Sequence, residues 1–334
     1  MKYFLTGATG FIGGVLARQL REAGHEVNAV VRSTQRAKEL DDLGVALYEG
    51  NVTQKESMRP AMEGTDGVFH VAGWYRIGAR DSSDAVAVNV SGTRNVLELL
   101  RELAVPKGVY TSTLAVNSDT GGRLRDETYH FSGRHLSIYD ETKWRAHYEV
   151  AEPMIREGSP LVIVQPGLVY GPGDTSSVRR TILQYLTRRL PLLPQRTAYS
   201  WAHVEDIARG HVLAMERGKV GESYAISGPS YTLVEAFRLA ERITGIPAPR
   251  LTAPPALLRV TSMVMERLER VMRLPLPETY SAEGLRVVAG VTYLGDSAKA
   301  RRELGFSVRP LEVGLQETLL YEMRLLGLRA TPAS

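Results

Sequence analysis

An alternation of short and long segments constrains this chain more than any other feature. Apolar runs rich in Val, Tyr and Phe occur at Tyr3–Thr6, Val27–Val31, Val45–Tyr48, Gly67–Val71, Gly108–Thr111 and Leu161–Val164. Longer amphipathic segments lie between them, at about Phe11–Ala23, Ser33–Leu43, Gln54–Met62, Ala85–Leu103 and Ile138–Glu157. A short run that is apolar throughout reads as a strand buried on both faces, and the amphipathic segment that follows reads as the helix crossing back to the next parallel strand. Such crossovers are right-handed, so the predicted fold class is α/β: a doubly wound parallel sheet of the Rossmann type with a smaller mixed α/β C-terminal lobe. After Pro166 the alternation weakens and prolines gather, at Pro191, Pro194, Pro254 and Pro255. With 334 residues the chain exceeds the size at which one core stops growing, so two coupled units are expected, over residues 1–166 and 167–334, with segments at about 197–230 returning to the Rossmann sheet.

Composition narrows the function by exclusion. Lys and Arg total 41 against 37 Asp and Glu, and the surplus is spread along the chain without a basic tail or stripe, so no nucleic-acid partner is expected. Without cysteine there is no disulfide, thiol nucleophile or Cys-type metal site, and the seven histidines show no metal-ligand spacing. The first residues reach Gly7 before a signal-peptide core could form, and the uncharged stretch Gly158–Gly173 is broken by Pro160, Pro166 and Pro172. A cytoplasmic protein with no membrane span is expected. The amphipathic segment Ala256–Met272 could lie on a membrane surface, but Arg259, Glu266, Arg267, Glu269 and Arg270 fit an ordinary packed helix with a solvated face.

Chemistry first shows at Thr6-Gly7-Ala8-Thr9-Gly10-Phe11-Ile12-Gly13, between the first predicted strand and helix. Glycines there permit a tight turn, let a pyrophosphate approach the backbone N–H groups, and place it at a helix N-terminus. Residues 1–166 are accordingly read as a dinucleotide-binding domain. The second strand ends Val30-Val31-Arg32-Ser33, where an NAD-selective site would carry an acid for the ribose 2′-hydroxyl. No acid occurs between Val27 and Lys38, and Arg32 could hold a 2′-phosphate, so NADP(H) is the expected cofactor. In Tyr139-Asp140-Glu141-Thr142-Lys143, the Tyr and Lys stand four residues apart on a predicted helix and share a face. A free phenol has a pKa of about 10, and a nearby ammonium would bring Tyr139 toward a useful acid/base range.

Together the glycine loop and this pair resemble the extended short-chain dehydrogenase/reductases of the NAD(P)-dependent epimerase/dehydratase superfamily. The resemblance recurs at His70-Val71-Ala72-Gly73, Asn89-Val90-Ser91-Gly92-Thr93, Thr111-Ser112-Thr113, Pro166-Gly167-Leu168-Val169-Tyr170-Gly171-Pro172, His203-Val204-Glu205-Asp206 and Asp296-Ser297-Ala298-Lys299. It implies Thr113, Tyr139 and Lys143 as catalytic residues, with Ser112 the nearest competitor of Thr113. It implies a cofactor site of Gly7, Thr9, Gly10, Phe11, Ile12, Gly13, Arg32, Asn51, Val52, Val71, Ala72, Gly73, Thr111, Pro166, Gly167 and Val169, besides Tyr139 and Lys143. Asn51 stands where the family commonly has an Asp that contacts adenine. Thr113, Tyr75 and Asn117 are the candidate substrate residues, Tyr75 because ligands bind beyond the carboxyl ends of such strands. Asn89 and His203 read as buried structural polar residues. Within the family the motifs are most similar to dihydroflavonol 4-reductase-like carbonyl reductases, which implies an NADPH-dependent reduction of a small organic carbonyl compound. A nucleotide-sugar epimerase or dehydratase is the alternative, Arg179, Arg180, Arg188 and Arg189 being available for a diphosphate, and a noncatalytic NADP-binding regulator is a third. A homodimer would suit the family.

Overall fold

The computed structural model describes residues 1–79, 81–272 and 281–328. Its strands are β1 (Lys2–Thr6), β2 (Glu26–Val31), β3 (Ala46–Glu49), β4 (Gly67–His70), β5 (Gly108–Thr111), β6 (Leu161–Pro166), β7 (Leu168–Tyr170), β8 (Leu193–Pro194), β9 (Ala198–His203), β10 (Ser223–Ile226), β11 (Ser230–Thr232), β12 (Thr252–Ala253) and β13 (Thr292–Tyr293). Seven of them form one sheet in the order β10-β6-β5-β4-β1-β2-β3, every neighbour parallel. The chain winds from β1 through β2 to β3 on one side, then returns to β4 and continues the other way. The crevice at the carboxyl ends of β1 and β4 is therefore the topological switch point where a ligand binds in such sheets.

The inner strands of this sheet are covered on both faces, while the edge strand β3 is exposed at both ends and half-buried between them. Tyr3 and Leu5 pack with Leu16, Leu20 and Ile207 on one side, while Phe4 packs with Met58, Val96 and Leu100 on the other. The helix Phe11–Glu22 buries Gly13, Leu16, Ala17 and Leu20, the three- and four-residue spacing that makes one apolar stripe. Helices Ser83–Glu102 and Ile138–Arg156 arise as anticipated, but each contains a π-turn, at Ala87–Ser91 and Ala146–Ala151. The second of these precedes Pro153, which has no N–H to give to the helix. The expected helix Ser33–Leu43 is instead a turn at Thr34–Arg36 and a short helix Lys38–Asp42, because only Ala37 and Leu40 are buried there to hold it.

Beyond β6 a second sheet runs β11-β9-β13, with β7 also paired to β9, and a two-stranded ladder joins β12 to β8. Ser223–Ile226 rejoins the main sheet beside β6, whereas Ala198–His203 lies at the centre of the second sheet. Around that sheet a separate core gathers Tyr170, Tyr185, Trp201, Phe237 and Leu319. No helix among the described residues is long and apolar enough to cross a membrane, and no group of His, Cys, Asp or Glu there could hold a metal ion.

Candidate active site

β1 delivers the chain into Gly7, whose φ of 76° is left-handed and strained for any residue with a side chain. A Cβ at Gly7 would stand 2.6 Å from the Ala72 backbone nitrogen, and one at Gly13 would stand 2.1 Å from the Gly7 carbonyl oxygen. Three pieces of backbone thus close on one another: the end of β1, the end of β4 and the first turn of the helix. Gly10 is the N-cap, and no side chain caps it, which leaves first-turn N–H groups for an outside anion. Thr9 and Gly10 are exposed at this mouth, with Phe11 and Ile12 half-buried behind them. The cradle fits the pyrophosphate of a dinucleotide.

The β4 end is fixed by a buried chain of hydroxyls. Thr93 Oγ1 donates to the Asn89 carbonyl, so it accepts from His70 Nε2 at 3.0 Å, which makes Nδ1 the acceptor for Thr6 Oγ1 at 2.8 Å. Thr6 Oγ1 in turn accepts the N–H groups of Val71 and Ala72, each at 3.1 Å. Burial holds the His70 pKa down at about 3, keeping the ring neutral as this pattern requires. Asn89 accepts the Trp74 N–H at 2.7 Å and donates to Thr142 at 2.9 Å, tying the segment after β4, with Gly73 at its start, to the helix that carries Tyr139.

On the nucleotide side, Arg32 is exposed immediately after β2 and forms no ion pair among the described residues. Asn51 Oδ1 accepts the Thr53 N–H at 3.1 Å, so this carboxamide closes a local turn and keeps its NH2 and the second lone pair of Oδ1 for a ligand. Val52 beside it is buried against Gly92, with its carbonyl held by Asn95 at 2.9 Å.

Thr113, Tyr139 and Lys143 come together at the carboxyl end of β5. Burial pushes the Tyr139 pKa well above the ordinary phenol value, and the neighbouring Thr113 hydroxyl pulls the other way. Ser112 is turned away, its hydroxyl 2.7 Å from His147 Nδ1. Lys143 is buried, and its ammonium donates to the Thr111 carbonyl at 2.7 Å and to Tyr110 Oη at 3.3 Å, leaving one N–H for another acceptor. Desolvation lowers its pKa to about 7. The Thr111 side chain is not part of this set: His211 Nδ1 donates to Ile207, so Nε2 accepts the Thr111 hydroxyl at 2.8 Å.

Other residues converge here from distant parts of the chain. The Tyr75 ring meets the Tyr139 ring edge-on at 4.7 Å, and its hydroxyl is 3.4 Å from Ser177 Oγ. Tyr293 and Tyr199 stack in parallel at 5.7 Å, and Tyr293 Oη donates to Asp140 Oδ2 at 3.1 Å. Ser137 Oγ donates to the other oxygen at 2.7 Å. Burial raises the Asp140 pKa to about 7 against these two hydrogen bonds. Since the folded pKa lies above the unfolded one, the folded state holds the proton more tightly. This contribution is fully present below about pH 4 and is lost as pH rises through 7. Asp140→Asn should therefore raise the melting temperature at pH 8 and lose that advantage by about pH 4, the gain amounting to roughly 4 kcal/mol at most. A melting difference that is the same at both pH values would show that Asp140 does not carry this proton.

A sequence model of the NAD dependent epimerase/dehydratase family matches residues 3–227. The chain belongs to that family. It is 31% identical over 325 residues to a Synechocystis sp. protein named "Putative dihydroflavonol 4-reductase", covering 95% of this chain and 93% of that one. It is also 31% identical over 317 residues to the 4-hydroxy-2-methyl-3-oxo-4-farnesyl-3,4-dihydroquinoline-1-oxide ketoreductase of Stigmatella aurantiaca, covering 92% of each. The solved structure of gox2253 superposes with a TM-score of 0.86 at 31% identity, over 98% of this chain and 99% of that one. This member of the epimerase/dehydratase family is thus an extended short-chain dehydrogenase/reductase of the dihydroflavonol 4-reductase-like group, an enzyme family dependent on NAD(P).

In this family member the remaining candidates divide. Gly167 lies where a Cβ would stand 2.2 Å from the Ser200 carbonyl oxygen, and half-buried Val169 packs against the main core beside β9, so both are also needed where the two sheets meet. Pro166 pairs with Ile226 at the end of β6. Asn117 is buried, and its Oδ1 has no hydrogen-bond partner among the described residues. Asp140, Tyr199 and Tyr293 escaped the sequence reading. Asp140 sits inside the Tyr139–Lys143 motif and could have been suspected there, but nothing in the pattern links it to a tyrosine 153 positions away.

Proposed function

We propose that this enzyme is an NADPH-dependent carbonyl reductase acting on a small organic substrate, with Tyr139 as general acid. The observation that carries the reading is the placing of Tyr139 beside Thr113, with the buried Lys143 ammonium one turn further along the helix, next to the glycine cradle. Arg32, exposed at the end of β2 and in no ion pair among the described residues, supports NADP over NAD, and cells keep NADP mostly reduced, which suits net reduction.

Bound NADPH supplies hydride to the carbonyl carbon. The Thr113 hydroxyl holds the carbonyl oxygen, and as negative charge develops there Tyr139 Oη gives it a proton, completing the alcohol. Burial that raises the Tyr139 pKa keeps the phenol protonated at neutral pH, the form a reduction consumes. Lys143 is held by Thr111 and Tyr110 so that its remaining N–H can meet the cofactor ribose, and its charge favours the phenolate left behind. Residues 1–166 hold the cofactor, and the later residues mainly shape the substrate side. There Tyr75, Tyr199 and Tyr293 offer flat apolar walls. The name of the Stigmatella relative, a ketoreductase, agrees with this direction of reaction.

The epimerase alternative leaned on arginines for a diphosphate. Arg179 is committed elsewhere: its Nε and Nη2 hold both oxygens of the fully buried Glu322, at 2.7 and 3.0 Å. A screen of aldehydes, ketones, steroids and flavonoids by NADPH oxidation, with Tyr139→Phe as the control, tests the proposal. Turnover in wild type that the variant lacks is expected; equal rates in both would remove Tyr139 from the mechanism.

A further inference from the structure

Two stretches of the C-terminal part carry charge of one sign only. Thr175–Val204 contains Arg179, Arg180, Arg188, Arg189 and Arg196, and Arg242–Met265 contains Arg242, Arg250 and Arg259; neither contains Asp or Glu. The ladder of β8 and β12 joins them, with the Leu193 N–H donating to the Leu251 carbonyl at 3.0 Å. The same register sets Leu192 opposite Leu251, and both are exposed, Leu251 by 70%. From Pro255 the chain enters the helix Pro255–Met272. Leu258 and Ser262 on its inner face are buried, and its acids turn the same way: Glu269 accepts the Ala282 N–H at 3.0 Å, and Glu266 lies 3.9 Å from Arg134 and from Arg286. The outer face keeps Leu257, Val260, Met263 and Val264 between 51% and 59% exposed, beside the exposed Arg259 and Arg267. At 3.6 residues per turn these six span an arc of roughly 160°. None of Arg188, Arg189, Arg196, Arg250, Arg259 and Arg267 forms an ion pair among the described residues.

We propose that this face docks on an anionic lipid surface, the apolar side chains entering the headgroup and acyl boundary and the arginines meeting lipid phosphates. A packed helix in a water-exposed monomer has no use for four large apolar side chains on its outer face. A two-fold contact with a second copy would set these cations against their own equivalents with no acid between them. A nucleic acid would engage the arginines and leave the leucines and valines in water. The face also lies behind one wall of the candidate site: the helix packs on Ala282–Arg286, whose Glu283 accepts the N–H of Ile138, next to Tyr139. The proposal does not depend on the reductase reading.

The test is co-sedimentation of the purified protein with vesicles of phosphatidylcholine alone or with phosphatidylglycerol added. Binding to the anionic vesicles only, released by high salt, is expected. Val260→Glu/Val264→Glu and Arg259→Glu/Arg267→Glu should each weaken it by about tenfold or more at unchanged melting temperature. Should either double variant fail to fold, Met263→Trp provides an independent reading, its fluorescence shifting to the blue on adding anionic vesicles. No binding to anionic vesicles, equal binding to neutral ones, or folded variants that bind like wild type would each overturn the proposal. So would a dimer in sedimentation velocity that Val260→Glu/Val264→Glu dissociates, which would give the face to a second copy.

Discussion

Tyr139→Phe is expected to lower turnover by about 10²- to 10⁴-fold, the range supplied by one positioned proton donor, while cofactor affinity stays near that of the wild type. The substitution removes Oη but keeps the ring, whose edge contact with Tyr75 at 4.7 Å preserves the pocket wall. Loss in kcat and kcat/KM together would mark a group acting in the transition state. Lys143→Met should damage turnover and cofactor binding alike, since its ammonium is both the neighbour of the forming phenolate and the proposed ribose donor. Steady-state rates on a carbonyl substrate, paired with a fluorescence titration of NADPH, separate the two effects. Near-native turnover in Tyr139→Phe would show that the proton comes from elsewhere.

The second large effect is expected at Arg32. A charge-assisted hydrogen bond to a 2′-phosphate contributes roughly 1.5–3 kcal/mol, or about 10- to 100-fold in affinity. Arg32→Asp removes that bond and brings a carboxylate to the ribose edge, where it would repel the phosphate and accept from a free 2′-hydroxyl. NADPH should bind more tightly than NADH to the wild type, and the variant should lose or reverse that order. Because Arg32 is exposed and forms no ion pair among the described residues, the fold has little reason to change. Titration of both cofactors against both proteins checks this; an unchanged ratio would place the 2′-phosphate away from Arg32.

The main sheet was legible because a parallel strand buried on both faces must be apolar throughout, and the six predicted runs became six of its seven strands. The seventh, Ser223–Ile226, lies after the alternation has faded. Local spacing also revealed the glycine cradle and the Tyr139–Lys143 pair, since turn geometry and helical repeat act over a few residues. Contacts set by the tertiary fold stayed hidden. The Thr111 hydroxyl faces His211, and Lys143 is anchored on Thr111 and Tyr110, because buried donors and acceptors must find partners wherever packing brings them. The Asp140–Tyr293 bond and the Tyr199–Tyr293 stack join segments that are far apart in sequence. The segment Ala256–Met272 is a helix as anticipated, yet its outer face is more apolar than an ordinary solvated face, a distinction that only side-chain exposure reveals.

Net reduction consumes NADPH, and stoichiometry separates it from epimerisation. Purified enzyme is given NADPH with a panel of carbonyl compounds and, in parallel, nucleotide sugars with catalytic amounts of cofactor, and both cofactor and product are followed. NADPH should be oxidised in equal amount to alcohol formed from at least one carbonyl compound, with no interconversion of nucleotide sugars. Interconversion of a nucleotide-sugar pair at catalytic cofactor levels, with no NADPH oxidised by any carbonyl compound, would make the enzyme an epimerase and not a reductase.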